Sequence, residues 1–250
     1  MQKSVMWLIL LSVFCMNVLA AQAAEPVKIA VDNGNPPFMY AKDDKAAGLY
    51  PVMLEAIFAK MGVPTEISAL PWKRTLALGE KGEAAIGGIY KNEERVKIYD
   101  YSAPIYSEKL VLYVDKDKSF PFSGIQDLKG KKIGTILGWS YGEAFDNARK
   151  DNLFTVDEVV SDSVNFKKLA SGRVDCVIAI ELAGKKAIAE EKLEDKVVAL
   201  PTPVAINDTF LVFAKSVKKG ELLGQFNATL AKMKEDGSYD KLIADFIERN

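Results

Sequence analysis

Apolar and polar residues follow two kinds of pattern along the chain. Short apolar runs that end at glycine, proline or charged residues predict buried strands, which we expect at 27–31, 65–70, 84–89, 110–114, 131–137, 174–180, 197–200 and 210–214. Apolar residues spaced three or four positions apart predict amphipathic helices, which we expect at 51–61, from 71, from 92, from 140, at 163–171, at 181–192, and in two C-terminal stretches separated by Gly237. Strands and helices alternate twice over, which predicts two α/β lobes.

The segment 82–97 is the first candidate for a functional site. Its apolar run 84–89 is bounded by glycines, as expected of a buried strand in a parallel sheet. Asn92 is placed to cap a short helix, and Arg95 then falls just beyond the carboxyl end of the strand, where open α/β sheets bind ligands. A guanidinium fits a carboxylate or a phosphate with two parallel hydrogen bonds. The alternative is that Arg95 pairs with Glu93 or a neighbouring loop.

A second candidate follows the strand at 131–137. Ser140 and Glu143 have the spacing of a capping box, and a capped helix start after a glycine presents free backbone N–H groups to an anion. An ordinary helix cap is the alternative. Trp72, at the start of another predicted helix, is either a core residue or an aromatic platform for a ligand.

The N-terminus has the features of a secretory signal. Lys3 precedes an apolar run from Val5 to Ala20, and the small-x-small site at 21–23 follows. We predict that residues 1–23 are removed after Ala23 and that the mature protein is soluble in the periplasm. A membrane anchor is the alternative, but the cleavage site and Asn17 argue against it.

Composition excludes several classes of function. The formal net charge is −1 with no basic block, which argues against nucleic acid or anionic membrane as a partner. Without histidine, the chain lacks the usual general base, Ser-His and Cys-His pairs and most zinc sites. No phosphate-loop or dinucleotide motif is present, so we expect no metal and no cofactor. Cys176 would be the single cysteine of the mature chain, buried and without a disulfide.

Several short motifs, in order and spacing, resemble the extracellular solute-binding proteins of family 3, the polar-amino-acid receptors of ABC importers. The resemblance spans nearly the whole mature chain. The motifs that carry it are Pro37-Phe38, Gly48, Trp72, Glu93-Glu94-Arg95, Tyr101-Ser102-Ala103-Pro104, the stretch 128–134, Gly172-Arg173-Val174-Asp175 and the stretch 234–239.

This resemblance implies a periplasmic-binding-protein-like fold of type II, with two α/β lobes joined by two hinge strands around the ligand. Lobe 1 would comprise 24–108 and 207–250, and lobe 2 would comprise 109–206. Arg95 matches the arginine that grips the ligand's carboxylate, Ser140 matches a helix N-terminal residue that completes that site, and Trp72 matches an aromatic wall. The full set of ligand-binding residues expected is Phe38, Trp72, Gly88, Tyr90, Arg95, Trp139, Ser140 and Glu181.

The chain departs from the family pattern in two places. Gly88 and Tyr90 occupy positions where the family often has serines, and Ile180 replaces the aspartate that binds the ligand's ammonium. Two ligand classes remain open. Either Glu181 replaces the aspartate and the ligand is an amino acid, or the ligand is a carboxylate without an ammonium group there. Adjacent residues at a strand end point to opposite faces, which favours the second class.

The sequence therefore predicts a monomeric periplasmic protein that captures a small carboxylate-bearing solute for an ABC permease in the inner membrane. Such a protein performs no chemistry. One alternative is an exported dehydratase-like enzyme on the same fold, in which Glu181 would act as acid or base. Another is a free-standing sensor module, which needs the same closed form as a transport protein.

Overall fold

The computed structural model describes residues 25–249, which form an α/β protein. Its strands are β1 (Val27–Asp32), β2 (Gly34–Asn35), β3 (Met39–Lys42), β4 (Lys45–Ala47), β5 (Thr65–Leu70), β6 (Ala85–Tyr90), β7 (Tyr99–Tyr101), β8 (Tyr106–Asp115), β9 (Lys132–Ile136), β10 (Thr155–Val159), β11 (Cys176–Ile180), β12 (Val197–Ala199) and β13 (Ala205–Ala214). Its α-helices are α1 (Leu49–Met61), α2 (Trp72–Lys81), α3 (Arg95–Ile98), α4 (Glu143–Lys150), α5 (Asp162–Ala170), α6 (Glu181–Glu190), α7 (Gly220–Glu235) and α8 (Ser238–Arg249).

The main sheet has two parallel sets of strands. Its strand order is β10-β9-β11-β8-β13-β6-β1-β5, with β12 paired to β8 and β7 paired to β13. Strands β5, β1 and β6 run parallel in one half, and strands β10, β9 and β11 run parallel in the other. Helices separate the parallel strands along the chain, as parallel connections require. Two parallel sets joined in one sheet give the two-lobe arrangement that the sequence predicts.

Two long antiparallel strands join these halves. Strand β8 pairs with β11 over Leu110–Val114 and with β13 over Tyr106–Leu110. Beyond that ribbon, β13 continues along β6 and β7. The ribbon is therefore the pair of hinge strands. The predicted lobe limits at 108/109 and 206/207 fall within it, although the exact limits remain a prediction.

The core contains the apolar faces that the periodicity predicts. Leu54, Ile57 and Phe58 of α1 are buried, and Phe58 packs on Phe226 of α7 with ring centroids 5.4 Å apart. Cys176 is buried, as predicted. Within residues 25–249, no helix combines the length and the apolar composition needed to cross a bilayer.

Three local features differ from the sequence-based expectation. The small sheet β2–β4 and strand β10 were not predicted; β10, with the sequence TVDEV, has carboxylates within its apolar pattern. The prediction of a capping box at Ser140 is wrong. Helix α4 begins at Glu143, its N-cap is Gly142, and no side chain caps it. The physical reason is that the Ser140 hydroxyl donates a hydrogen bond to Asp146, within the helix.

Candidate functional site

A cavity lies between the two halves of the sheet, next to the hinge ribbon. It contains only about 20 Å³ of space open to a water-sized molecule, far below the range of roughly 300–1,000 Å³ that is usual for small-molecule sites. Its lining residues come from β3, α2, β6, α3, β8 and the loop after β9: Met39, Trp72, Gly88, Tyr90, Arg95, Glu108, Trp139 and Ser140. In this closed form the cavity has room for about one water molecule, so a larger solute requires the cleft to open further.

Arg95 brings the positive charge of the cavity. The Asn92 side chain accepts a hydrogen bond from the Arg95 backbone N–H at 2.9 Å and so holds the turn that precedes α3. The predicted cap is one turn early, because α3 begins at Arg95 and its N-cap is Glu94. The guanidinium donates to the Tyr90 carbonyl at 3.1 Å and lies 5.8 Å from the centroid of the Trp72 ring. Among the described residues no carboxylate forms an ion pair with Arg95, so Glu93 is not its partner. Burial lowers the pKa of Arg95, although the group stays cationic at neutral pH.

Two tryptophans connect the halves of the molecule across the cavity. Trp139 Nε1 donates to the Asp32 carboxylate at 2.9 Å, and Trp72 Nε1 donates to the Gly138 carbonyl at 3.2 Å. The two indole rings contact each other edge to face, with centroids 6.3 Å apart. Since each hydrogen bond joins one half to the other, the cleft is closed over the cavity.

Glu108 is a buried carboxyl group in the wall of the cavity. It is 2% exposed and lies on the hinge strand β8, paired with Asn207 of β13. The hydroxyls of Tyr50 and Tyr90 donate to its two carboxyl oxygens, one to each. Burial raises the pKa of Glu108 to about 7, an effect that the two tyrosine hydrogen bonds only partly offset. Glu108 has no ion-pair partner in the described part of the chain, so its carboxylate is available to pair with a cation in the cavity.

Gly88 makes room for this arrangement. Its φ is +78°, and a Cβ at this position would lie 2.4 Å from the Tyr50 ring. Any larger residue would therefore collide with Tyr50 and require a backbone conformation that L-residues rarely adopt. Gly88 thus leaves the space in which Tyr50 reaches Glu108.

Two further carboxyl groups lie buried close to the cleft. Asp32 at the end of β1 receives hydrogen bonds from Trp139 and from the Gly34 N–H. Asp162 opens α5 in the other half of the molecule and is buried. Burial raises the pKa of Asp162 to about 7, with a further contribution from the charge of Asp32. The pKa of Asp32 is also raised, mainly by burial.

Ser140 contributes differently from the way the sequence predicts. Its hydroxyl and the Tyr141 N–H both donate to Asp146, the N–H at 3.0 Å. This carboxylate therefore occupies donors that the sequence analysis assigned to an anionic ligand. Ser140, Asp146 and Arg95 also line a wider opening of about 210 Å³ at the mouth of the cavity.

Six of the eight predicted residues line the cavity: Trp72, Gly88, Tyr90, Arg95, Trp139 and Ser140. Phe38 does not; it is 1% exposed and packs on the rings of Tyr50 and Tyr106. Glu181 also lies outside the lining, and its carboxylate pairs with Lys109 at 3.2 Å and Lys185 at 2.9 Å. Whether any of the eight residues contacts a ligand remains a prediction.

Sequence reasoning missed Met39 and Glu108. A signal for Glu108 was available, because side chains alternate along a strand and Glu108 shares a face with Leu110 and Leu112, both fully buried. A carboxylate on the same strand face as two buried leucines is unusual and calls for a functional explanation.

The closed cleft, the two hinge strands and the charged cavity define the fold of the periplasmic binding proteins. The model of the bacterial extracellular solute-binding proteins, family 3, matches residues 27–249. The chain belongs to this family. No group of three or more potential metal-ligating side chains is found in residues 25–249.

Relatives and solved structures agree with this assignment. The L-cystine-binding protein TcyJ of Escherichia coli (strain K12) is 25% identical over 218 residues, which cover 86% of this chain and 79% of that protein. The structure of an ancestral arginine-binding protein bound to arginine has a TM-score of 0.76 at 25% identity and covers 90% of this chain and 99% of the other. An ancestral amino-acid-binding protein described as a precursor of cyclohexadienyl dehydratase has a TM-score of 0.72 at 22% identity, covering 88% and 95%. That last likeness shows the fold alone.

Proposed function

We propose that this protein is the periplasmic receptor of an ABC importer and that it captures a small carboxylate-bearing solute, an amino acid or a related compound. Closure of the two lobes would remove the ligand from water, and the closed form would be recognised by a permease in the inner membrane. Family membership and the amino-acid-binding relatives support this role. Export depends on the predicted signal at 1–23, which lies outside the described residues.

The observation that carries the proposal is Arg95. Its guanidinium faces a closed cavity, donates to one backbone carbonyl, and has no carboxylate partner among the described residues. The Asp146 carboxylate acts on Arg95 only from beyond ion-pair distance. A ligand carboxylate would supply the bidentate hydrogen bonds that the half-buried guanidinium lacks.

A thermal-shift screen tests the proposal. Purified mature protein is heated with each of the twenty L-amino acids, with L-cystine, and with carboxylates and amines that lack the other group. Because a ligand at 100 times its dissociation constant stabilises by about 2.7 kcal/mol, a true ligand gives a clear rise in melting temperature. We expect a rise with at least one carboxylate and none with amines alone. A rise that is equally large in a folded Arg95→Ala variant would contradict the assignment of Arg95.

An enzyme on the same fold is the second candidate, and Glu108 is the observation that favours it. A buried carboxyl group with a pKa of about 7 has the value wanted in a general acid at neutral pH. The relatives of this chain are mostly binding proteins, which favours binding without chemistry. Mass spectrometry of the ligand after overnight incubation separates the two: a binding protein returns it unchanged, whereas a dehydratase returns it lighter by one water.

A further inference from the structure

The cavity holds two opposite charges that do not neutralise each other directly. Arg95 and Glu108 both line it, yet no ion pair joins them, and each is held by other groups. Arg95 donates to the Tyr90 carbonyl, and Glu108 accepts from the Tyr50 and Tyr90 hydroxyls. A cavity with a fixed cation and a separate fixed anion is complementary to a molecule that carries both charges.

We propose that Glu108 binds the ammonium group of a zwitterionic ligand, so that the solute is an α-amino acid held between Arg95 and Glu108. This inference rests on the proposed function, because it assumes that Arg95 binds the carboxylate. It replaces the expectation, drawn from Ile180, that the ligand has no ammonium group. It also gives Glu108 a role that the sequence analysis offered to Glu181.

The hydrogen bonds of Glu108 leave capacity for a ligand. Each carboxylate oxygen has two acceptor sites, and one tyrosine hydroxyl occupies one of them on each oxygen. The tyrosines also hold the carboxylate in a fixed orientation from two elements, α1 and β6. An ammonium group with three donors can then bond to the remaining sites without moving the carboxylate.

The two residues at the end of β11, Ile180 and Glu181, are placed less well than Glu108 to bind an ammonium group. Ile180 is buried and pairs with Leu110 on the hinge strand. Glu181 is already neutralised by Lys109 and Lys185 and lies outside the lining of the cavity. To reach an ammonium in the cavity, Glu181 would have to leave both lysines, whereas Glu108 is already in the wall.

The first test uses the protein without substitutions. The amino acid that gives the largest thermal shift is compared by calorimetry with its des-amino acid, such as L-arginine with 5-guanidinopentanoate or L-leucine with 4-methylpentanoate. The des-amino acid keeps the carboxylate and the side chain but cannot donate to Glu108. We expect it to bind at least about tenfold more weakly, because hydrogen bonds to charged groups are worth that much. Equal affinity would overturn the inference.

Variants then assign the effect to a residue. Glu108→Gln should weaken binding of the amino acid by about tenfold or more and leave the affinity for the des-amino acid within about threefold. Glu181→Gln should leave the preference for the amino acid intact. Glu55→Gln, an exposed position on α1, controls for loss of one negative charge. A preference that survives Glu108→Gln and disappears in Glu181→Gln would move the ammonium site to Glu181.

Proton release on ligand binding is measured with the unsubstituted protein, so this test does not require any variant to fold. With a pKa of about 7, Glu108 is about half protonated at pH 7, and an ammonium would hold it ionised. Three tyrosines with raised pKa values face Glu108: Tyr50 of α1, Tyr90 of β6 and Tyr106 of the same strand. Arg95 faces it across the cavity. The residue that pairs with Glu108 on β13, Asn207, is uncharged. Calorimetry in phosphate and Tris should therefore detect net proton release with the amino acid and none with the des-amino acid.

The outcomes separate this inference from the proposed function. If no carboxylate binds, or if binding ignores Arg95, the proposed function fails. If carboxylates bind through Arg95 but amino and des-amino acids bind equally and release no proton, only the role of Glu108 fails.

Discussion

The two faces of the cavity differ in what they contribute. The first face, formed by β3, α2, β6, α3 and the hinge strand β8, supplies six lining residues, including both charged groups. The second face, the loop after β9, supplies Trp139 and Ser140. Both charged groups that line the cavity therefore lie on one half of the molecule and on the hinge. The second face supplies an aromatic cover and a hydrogen bond that holds the cleft closed. This division predicts that substitutions on the first face weaken ligand binding directly, whereas those on the second face act through closure.

The largest effect is expected at Arg95, on the first face. Arg95→Ala should weaken binding of the ligand at least about tenfold, because a charge-assisted hydrogen bond to a buried carboxylate is worth roughly 1.5–3 kcal/mol and a bidentate contact exceeds that. Arg95→Lys should also lose affinity, since a point charge does not reproduce the planar fork. Titration calorimetry measures both variants, and Arg74→Ala, an exposed position on α2, is the matched control. Affinity that is unchanged in a folded Arg95→Ala protein would return Arg95 to a structural role.

The second effect is a pH dependence of stability from Asp162, behind the second face. Its folded-state pKa is about 7 and its ordinary value is 3.8, so the folded protein binds the extra proton between these values. Stability from this proton is present at low pH and is lost as the pH rises toward about 7. Between about pH 5 and 6.5 the free energy of unfolding should fall by about 2 kcal/mol relative to Asp162→Asn.

Urea denaturation at several pH values measures this difference. Asp195→Asn, an exposed position, should follow the unsubstituted protein across the same range. Partly buried carboxyl groups with lowered pKa values, such as Asp157 and Glu191, titrate below this window and add an opposite slope only in acid. If Asp162→Asn keeps the full slope, Asp162 is not the group that titrates.

The third effect compares the two tryptophans that bond across the cleft. Trp139→Phe should weaken ligand binding by roughly 1.5 kcal/mol, because it leaves the Oδ2 atom of the buried Asp32 carboxylate without its donor and makes the closed form less populated. Trp72→Phe removes a donor only from the Gly138 carbonyl and should cost less, about 1 kcal/mol. Calorimetry gives the affinities, and small-angle X-ray scattering with saturating ligand gives the compactness. Equal losses without any change in compactness would mean that these bonds do not control closure.

The smallest effect is expected at Ser140. Its hydroxyl already donates to Asp146, so Ser140→Ala removes an internal hydrogen bond and should change affinity by about 1 kcal/mol or less. Calorimetry that instead finds a loss as large as that of Arg95→Ala would show that Ser140 binds the carboxylate after all.

The sequence predicts the fold well because its patterns are local. Periodicity locates the strands β1, β5 and β6, and Gly62 ends α1 in a left-handed conformation as a glycine there should. The type II fold came from the order of motifs and is confirmed by solved structures. Strand β10 escaped prediction because Asp157 and Glu158 interrupt its apolar pattern while bonding to Lys168 and Arg149.

The site was predicted less completely because its geometry depends on distant contacts. Arg95 follows from a strand, a cap and a short turn that are close in sequence. The strand pattern marks Glu108 as a buried carboxyl group, but its place in the site depends on Tyr50, 58 positions away, which folds against it. The capping box at Ser140 failed for the converse reason, since the spacing is right but Asp146 competes for the hydroxyl.

The most direct test of the central claim is native mass spectrometry of the protein after incubation with an equimolar mixture of the twenty L-amino acids and L-cystine. Excess ligand is removed by gel filtration before the measurement. The unsubstituted protein and the Arg74→Ala control should each retain one molecule with the mass of an amino acid, and Arg95→Ala should retain none. An unsubstituted protein that retains no amino acid, or an Arg95→Ala protein that retains the same amount, would contradict the assignment of this cavity as an amino-acid site built on Arg95.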